Sequence, residues 1–259
     1  MESALDYHTA KALLEWQVEF GVDEAISEQP VNRFEVKPAP KKVAAAVAPV
    51  APAIVPGIAQ KPAEVDGVEL ARAAASGAGD IGALKSALAE FDACELKRGA
   101  RNLVFADGAL GSRVMVIGDA PTRDEDREGR PFVGDAGVLL DKMFGAIDLG
   151  REQGVYLTTV LPWRLPRNQD VQPRDLAMMV PFLERHVALA KPEVLVLMGN
   201  LACQATLKKR GMSRLRGEWS EAMGLPALPM LHPEALLRSP EKKREAWADL
   251  LSLKARLRG

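Results

Sequence analysis

The chain has 259 residues, of which 47% are apolar and 27% are charged, and its formal net charge is -1. This composition suits one large α/β domain, or a medium domain with appendages, and it excludes a wholly disordered chain and a histone-like basic protein. Residues 1–37 hold eight acids against three bases, a net charge of -5, so residues 38–259 carry a net charge of +4. The neutral average therefore conceals an acidic N-terminal segment and a mildly basic remainder.

The cysteine count and the N-terminal pattern bear on the cellular compartment. The chain contains only two cysteines, Cys94 and Cys203, which are too few for a disulfide framework and favour a reducing cytoplasm. Residues 1–8 are polar and acidic and do not resemble a signal peptide. Residues 41–59 are the most membrane-like stretch, but prolines interrupt them and they are too short to span a bilayer. We therefore expect a cytoplasmic protein without a membrane segment.

The chain divides into three parts by composition. Apolar residues at helical spacing within residues 4–28 predict an amphipathic helix in the acidic segment. The Ala- and Pro-rich stretch that follows favours an extended tether and cannot build a core. The expected boundaries are residues 1–37 for the acidic helix, 38–65 for the linker and 66–259 for the folded domain.

The folded domain alternates short apolar runs with helical patterns. The predicted strands are Arg113–Gly118, Val155–Val160, Val194–Met198 and a short fourth at Leu228–Leu231. The predicted helices are Leu70–Ala75, Ile81–Phe91, Val138–Ile147, Arg174–Ala190, Leu201–Arg210 and Glu241–Leu257. This alternation indicates an α/β fold with a mostly parallel sheet covered on both faces. Ligands in such folds bind beyond the carboxyl ends of the strands, so the loops there are the candidate functional segments.

The loop after the first strand begins with Gly118-Asp119-Ala120-Pro121-Thr122 and continues into the charged run Arg123–Arg130. Its glycine and proline shape a turn that brings backbone N–H groups and one carboxylate together, although a plain strand exit would look the same. Phe132 follows, flanked by glycines in an expected loop. Its ring is either part of the core or a stacking platform for a planar ligand.

The later loops add basic residues and a histidine. Residues 159–168 contain two prolines and two arginines, which suit phosphate contact or, equally, a long solvated loop. Of the three histidines, His8 and His186 lie within helical patterns and are expected to be solvated or at the edge of the core. His232 differs because it lies between a short strand and a proline. Alone, such a histidine is more often structural.

Metal and nucleotide motifs are absent from the sequence. The two cysteines and three histidines offer no spacing for zinc, and no set of carboxylates resembles a calcium loop. The chain contains neither a dinucleotide-binding glycine motif nor a P-loop.

Taken together and in order, the loop segments resemble the family 4 uracil-DNA glycosylases, the iron–sulfur type, over about residues 91–257. The segments that carry the resemblance are Gly118–Pro121, Glu125–Gly134, Val155–Asn168, Lys191–Pro192, Met198–Ala202, Arg214–Trp219, His232–Pro233 and Leu236–Arg238. The resemblance implies a three-layer α/β/α fold with a central four-stranded parallel sheet and a DNA-binding groove. It implies hydrolysis of the bond between a flipped-out uracil and its deoxyribose, which leaves an abasic site in DNA.

The resemblance also implies roles for individual residues. His232 would hydrogen-bond the leaving uracil oxygen, and Asp119 would position water or stabilise the sugar cation. The expected base-binding residues are Ala120, Phe132, which would stack on the base, and Thr159. The expected DNA-binding residues are Pro121, Thr122, Arg164, Pro233, Leu236, which would wedge into the vacated stack, and Arg238, which would steady the backbone.

The sequence departs from the family at the iron–sulfur cluster. The family holds a [4Fe–4S] cluster through four cysteines, and only Cys94 falls on a ligand position. The other three positions hold Phe91, Trp163 and Met179. One thiolate cannot hold a cluster that needs four, so we predict that the cluster is lost and that no cofactor is bound.

Four departures touch the expected site. Thr159 replaces the asparagine that reads uracil, and Asp119 replaces a glutamate that is one methylene longer. Thr122 stands where a glycine is usual, and Glu234 replaces a serine that helps to hold phosphate. We expect weaker base discrimination and weaker phosphate contact as a result.

Three functional hypotheses follow. The first is a monomeric DNA-repair glycosylase acting on uracil in DNA. The second is a catalytically weak or inactive glycosylase-like protein that binds DNA or assists repair. The third gives the acidic N-terminal helix the main role, as a docking element for a protein partner.

Overall fold

The structure is a computed structural model that describes residues 66–166 and 170–258. The predicted acidic helix within residues 1–37 and the linker at 38–65 lie outside the described residues. So do Arg167 and Asn168 of the second candidate loop. Within the described residues, no helix combines the length and the apolar character needed to cross a membrane.

The described residues form a sheet of six strands in the order β1-β3-β2-β4-β6-β5. The strands are β1 (Ala106–Gly108), β2 (Val114–Gly118), β3 (Val155–Thr159), β4 (Val194–Met198), β5 (Ser220–Ala222) and β6 (Leu225–Met230). The central four, β3-β2-β4-β6, are parallel, which confirms the predicted four-stranded parallel core. Both edge strands are antiparallel and only three residues long. Sequence reasoning missed them because neither contains an apolar run.

Burial of the central strands shows that both faces of the sheet are covered. Every residue of β2, β3 and β4 is buried. Continuous apolar runs of this kind are stable only between two layers of helices, because side chains alternate between the faces. The predicted α/β fold is therefore confirmed. The fourth strand is longer than predicted, since β6 begins at Leu225 instead of Leu228.

Ten α-helices accompany the sheet within residues 66–166 and 170–258. They are α1 (Gly67–Gly77), α2 (Ile81–Glu90), α3 (Leu96–Gly99), α4 (Arg123–Glu128), α5 (Gly134–Gly145), α6 (Pro173–Ala190), α7 (Asn200–Leu207), α8 (Met212–Leu215), α9 (Pro233–Arg238) and α10 (Lys243–Arg258). The six predicted helices are all present with shifted ends. The four short helices α3, α4, α8 and α9 were not predicted, because a helix of four to six residues shows too few turns for a periodic pattern.

The charged run after β2 is a helix and not the expected loop. Thr122 caps α4 by accepting a hydrogen bond from the Glu125 backbone N–H, and the Glu125 side chain accepts one from the Thr122 N–H at 2.6 Å. Gly129 ends the helix in the left-handed conformation. This capping box stabilises a short helix whose residues are almost all charged.

His186 is a core residue, and the expectation of a solvated or core-edge position is wrong. It lies on α6 with 4% exposure, its Nε2 is 2.9 Å from the Tyr156 hydroxyl, and its ring stacks on Phe105 with centroids 4.5 Å apart. Burial lowers the pKa of His186 to about 4, so the ring is neutral. A neutral imidazole can fill a core position once its ring nitrogen has a partner.

Candidate active site

The four parallel strands end side by side and bring the candidate loops to one edge of the sheet. Gly118 at the end of β2 pairs with Thr159 of β3 and with Met198 of β4, and Met198 pairs with Met230 of β6. Asp119, Val160, Gly199 and Leu231 follow these ends, and His232 comes directly after Leu231. The structure therefore places the predicted site residues where ligands bind in parallel α/β folds.

Phe132 packs directly against the end of β2. A Cβ atom added at Gly118 would lie 2.8 Å from Phe132 Cζ and 3.5 Å from Thr159 Cγ2. Only glycine leaves room for the ring at this position, which explains the glycine that ends β2. The Phe132 ring is buried, with 1% exposure. The open question of core or stacking surface thus has one firm part: the ring is packed at the strand ends, beside Thr159.

The backbone of Phe132 is held from both sides. Its φ of 53° lies in the left-handed region, which costs free energy for a residue with a side chain. Its N–H donates to Glu125 Oε1, and its carbonyl accepts a hydrogen bond from Arg151 Nη2. A Cβ at Gly137 would lie 2.0 Å from the Phe132 carbonyl oxygen. These contacts fix an otherwise unfavourable conformation and thereby the direction of the ring.

Glu125 ties the two parts of the first loop together, a role that sequence reasoning missed. Its carboxylate accepts hydrogen bonds from the backbone N–H groups of Thr122 and Phe132, and the residue is 4% exposed. Burial raises the pKa of Glu125, while the hydrogen bonds from Thr122 and Phe132 oppose that rise. The Thr-x-x-Glu spacing of a capping box was the available signal.

His232 stacks on Phe132 and caps the next helix. The ring centroids are 5.4 Å apart with an interplanar angle of 25°. His232 Nδ1 accepts a hydrogen bond of 3.3 Å from the Glu234 backbone N–H at the start of α9. Burial lowers the pKa of His232, while the charge of Glu234 raises it. The imidazole is therefore neutral near pH 7, and because Nδ1 is an acceptor its proton is on Nε2.

The Asp119 carboxylate lies at the N-terminus of α7. Its Oδ1 accepts a hydrogen bond of 2.9 Å from the Ala202 N–H. A Cβ at Gly199, where φ is 127°, would lie 2.2 Å from the Asp119 carboxylate, so this approach requires glycine. Burial raises the pKa of Asp119, and the backbone N–H groups of Ala202, Leu201 and Asn200 lower it. The helix terminus thus holds a carboxylate that the protein interior alone would neutralise.

Thr159 has committed the proton of its hydroxyl. Oγ1 donates to the Leu161 carbonyl oxygen at 2.8 Å, and the residue is 8% exposed. A hydroxyl has one donor and two acceptor lone pairs, so Thr159 retains only acceptor capacity in this geometry. The sequence alone could not reveal this, because the partner is a backbone carbonyl in the same loop.

The other residues of the first two loops are placed as follows. Ala120 and Thr122 are half-buried and Pro121 is buried. Arg164 is half-buried and bonds through Nε to Asp126 Oδ2 at 3.2 Å. Asp126 itself is 5% exposed. Arg164, expected as a DNA contact, is therefore already paired with a buried carboxylate.

The helix after His232 changes the assignment of the expected wedge. Leu236 is buried with 1% exposure, packed in the core, whereas its neighbour Leu237 is 42% exposed. Pro233 is buried in the first turn of α9, and Arg238 is exposed near its end, 3.9 Å from Glu234. A side chain that enters DNA must be exposed, so the structure offers Leu237 in place of Leu236.

The four positions of the family's iron–sulfur cluster do not fit such a group. Phe91, Cys94, Trp163 and Met179 are all buried in the hydrophobic core. Phe91 makes an edge contact with the ring of Phe182, with centroids 5.3 Å apart. Two of the four side chains are aromatic rings with no ligating atom, and burial raises the pKa of the Cys94 thiol to about 11. Among the described residues, no group of three or more His, Cys, Asp or Glu side chains is arranged to hold a metal ion.

Comparison with known proteins agrees with this geometry. Residues 105–251 match the family described as the Uracil DNA glycosylase superfamily. The chain is 34% identical over 167 residues to the type-4 uracil-DNA glycosylase of Archaeoglobus fulgidus, which covers 60% of this chain and 82% of that protein. It is 33% identical over 168 residues to the type-4 enzyme of Thermotoga maritima, which covers 63% and 87%. The matched region contains the strand ends, Asp119, Phe132 and His232, and the chain belongs to the uracil-DNA glycosylase superfamily.

Proposed function

We propose that the protein is a DNA-repair glycosylase that hydrolyses the bond between uracil and deoxyribose in DNA and leaves an abasic site. The observation that carries the proposal is the state of His232: a neutral ring, stacked on Phe132, with Nδ1 bonded to the Glu234 N–H and the proton on Nε2. A fixed N–H donor at the strand ends suits a reaction in which negative charge appears on a leaving base.

The proposed reaction proceeds by loss of the base before attack of water. As the bond between uracil N1 and sugar C1′ breaks, its electron pair moves onto the base and into the O2 oxygen. His232 Nε2–H donates to that oxygen, and this hydrogen bond strengthens as charge develops. Since the imidazole is already neutral, the uracil leaves as an anion and takes no proton from His232.

Asp119 is proposed to act on the sugar side. Its carboxylate favours the positive charge that develops at C1′ and orients the water whose oxygen bonds to that carbon. One oxygen is bonded to the Ala202 N–H, and a carboxylate has about four acceptor sites, so capacity for a water remains. Burial raises the pKa of Asp119, which also improves it as acceptor of the proton that the water loses.

Phe132 and Thr159 are proposed to hold the base. The ring packed at Gly118 supplies an aromatic surface next to His232, and Thr159 lies beside it. With its own proton given to Leu161, the Thr159 hydroxyl can accept a hydrogen bond from uracil N3–H and cannot donate to O4. The resulting base reading is weaker than that of an amide, which both donates and accepts.

A uracil-excision assay tests the proposal. Oligonucleotides with one uracil, single-stranded and double-stranded, are incubated with the protein, and abasic sites are cleaved with alkali. We expect wild type to release uracil and H232A to lose about 10²–10³-fold in rate, because the donor to the leaving base is gone. The matched control is S239A, which alters the residue just after α9 and should keep wild-type activity. Equal rates for wild type and H232A would refute the proposed site.

A second function, a weak or inactive glycosylase-like protein that binds DNA, is favoured by one observation. The Thr159 hydroxyl donates to Leu161, so the base-reading position lacks a donor. Retained DNA binding without uracil release by wild type would select this alternative.

Without three of the four cluster thiols, we propose a protein that contains no iron–sulfur cluster. The two cysteines among the described residues are free and buried, which agrees with action in a reducing cytoplasm. Iron analysis of protein purified without air tests this, and one cluster equivalent of iron per chain would contradict it.

A further inference from the structure

A basic cleft lies beside the candidate active site. Its volume is about 390 Å³, and its walls contain four arginines, one aspartate and two small residues. We call it the arginine cleft; it is lined by Gly99, Ala100, Arg101, Arg123, Asp126, Arg127 and Arg164. Its lining contains no aromatic and no large apolar side chain, so it is not suited to a base or an apolar ligand.

The two candidate loops form most of the cleft. Arg123 and Arg127 lie on α4, which begins directly after the Asp119–Thr122 turn, and Arg164 follows the end of β3. Arg101 comes from the segment between α3 and β1. The cleft thus adjoins the strand ends at which Asp119 and Thr159 lie.

The single carboxylate of the cleft is used to hold its walls together. Asp126 accepts hydrogen bonds from the backbone N–H groups of Arg101 and Asn102, at 2.8 and 3.2 Å, and from Arg164 Nε. Burial opposes its charged form, but these hydrogen bonds outweigh burial and lower the pKa of Asp126. The aspartate is thus ionised at neutral pH and fixes Arg101 and Arg164 on one side of the cleft.

The remaining positive charge is not balanced. Arg127 pairs with Asp124 at 3.1 Å on the exposed side of α4. Among the described residues, neither Arg101 nor Arg123 has a carboxylate within salt-bridge distance of its guanidinium, and both are exposed. Two unpaired guanidinium groups that face one rigid cleft form a site for an anion whose oxygens accept paired N–H donors.

We infer that the arginine cleft binds backbone phosphates of the uracil-bearing DNA strand next to the flipped nucleotide. This inference rests on the proposed function, because the ligand class comes from the adjoining site. Arg101 and Arg123 make the phosphate contacts, and Arg164 is a positioning residue that acts through Asp126. The strand held there fixes the register of the DNA relative to His232.

Salt dependence of binding tests the inference. The variant R101Q/R123Q is compared with R72Q/K85Q, which removes the same two charges from the exposed surfaces of α1 and α2. Binding to single-stranded DNA without uracil is measured against salt concentration. Loss of two phosphate contacts should lower the slope of log K against log salt by about 1.4 for R101Q/R123Q. The control should keep the wild-type slope, and equal slopes for all three proteins would overturn the inference.

A phosphate-neutralisation scan locates the contact. Single methylphosphonates are placed along the uracil-bearing strand, one position at a time, and binding is measured for wild type and R101Q/R123Q. We expect one or two adjacent positions at which the neutral linkage weakens wild type about tenfold and leaves the variant unchanged. The absence of any such position would overturn the inference.

These experiments separate the cleft from the proposed function. If wild type releases uracil normally while both variants bind DNA alike, the cleft inference fails and the glycosylase proposal stands. If wild type releases no uracil but R101Q/R123Q shows the lower slope and the localised contact, the cleft inference stands and the glycosylase proposal fails.

Discussion

The two sides of the candidate site are held by different kinds of interaction. On the Phe132 side, buried charged groups hold the backbone: Glu125 accepts its N–H, and Arg151 donates to its carbonyl. On the His232 side, one capping hydrogen bond of 3.3 Å orients the ring, and the buried Leu236 anchors α9. The stacking surface thus depends on polar interactions in the interior, and the hydrogen-bond donor depends on apolar packing of a short helix.

This difference has a functional meaning. A left-handed Phe132 is costly alone, so its geometry must be fixed before the ligand arrives. A six-residue helix held by packing has fewer constraints, so the His232 side is the part of the site that can adjust to the base.

The largest effect should come from breaking the Phe132 side. E125A removes the acceptor of two buried backbone N–H groups, and we expect a loss of about 3–5 kcal/mol in the free energy of unfolding. E128A on the same helix removes an exposed carboxylate with surface partners only and should cost less than about 1 kcal/mol. Urea unfolding of both variants measures the difference. Equal losses would show that Glu125 is not the support of Phe132.

A neighbouring pair of leucines tests the His232 side. L236A deletes a fully buried side chain, and we expect a loss of about 2–5 kcal/mol in the free energy of unfolding. L237A alters an exposed side chain and should keep stability within about 0.5 kcal/mol of wild type. If Leu237 enters the stack, L237A should still slow uracil release from duplex DNA more than from single strands. Loss of stability in L237A with none in L236A would reverse the assignment.

The sequence predicted the parts of the fold that carry long apolar runs. Strands β2, β3 and β4 were found to within one residue because each is buried on both faces and reads as a continuous apolar segment. The helix α4 was missed because its charged residues show no apolar face, and its stability comes from its caps. Periodicity detects burial and does not detect capping.

The limits at the site have a similar origin. His232 could be singled out because it follows a strand end, which is a topological position visible in the chain order. Which of Leu236 and Leu237 faces the core depends on the rotation of α9 about its axis, and two adjacent leucines carry no such information. The acceptor-only state of Thr159 depends on the Leu161 carbonyl, a backbone contact that no side-chain pattern encodes.

The smallest expected effect concerns the protonation of His232. Burial lowers its pKa in the folded protein below the ordinary value of about 6.5, so the neutral form should persist as the pH rises from 7 to 9. Uracil release should therefore be flat over that range. As the pH falls through the lowered pKa, Nδ1 gains a proton and loses its bond to the Glu234 N–H. The rate and the stability contributed by His232 should then fall together, because the unfolded chain binds this proton more readily.

The variant H232Q separates this acid limb from that of Asp119. Glutamine does not titrate, so an acid limb that persists in H232Q belongs to Asp119, whose pKa is raised by burial. A limb that disappears belongs to His232 and to its hydrogen bond with the start of α9. A wild-type rate that declines about tenfold per pH unit above 7, and becomes flat in H232Q, would show that the imidazolium is the active form. The adjustable side of the site would then carry a charge that its present packing disfavours.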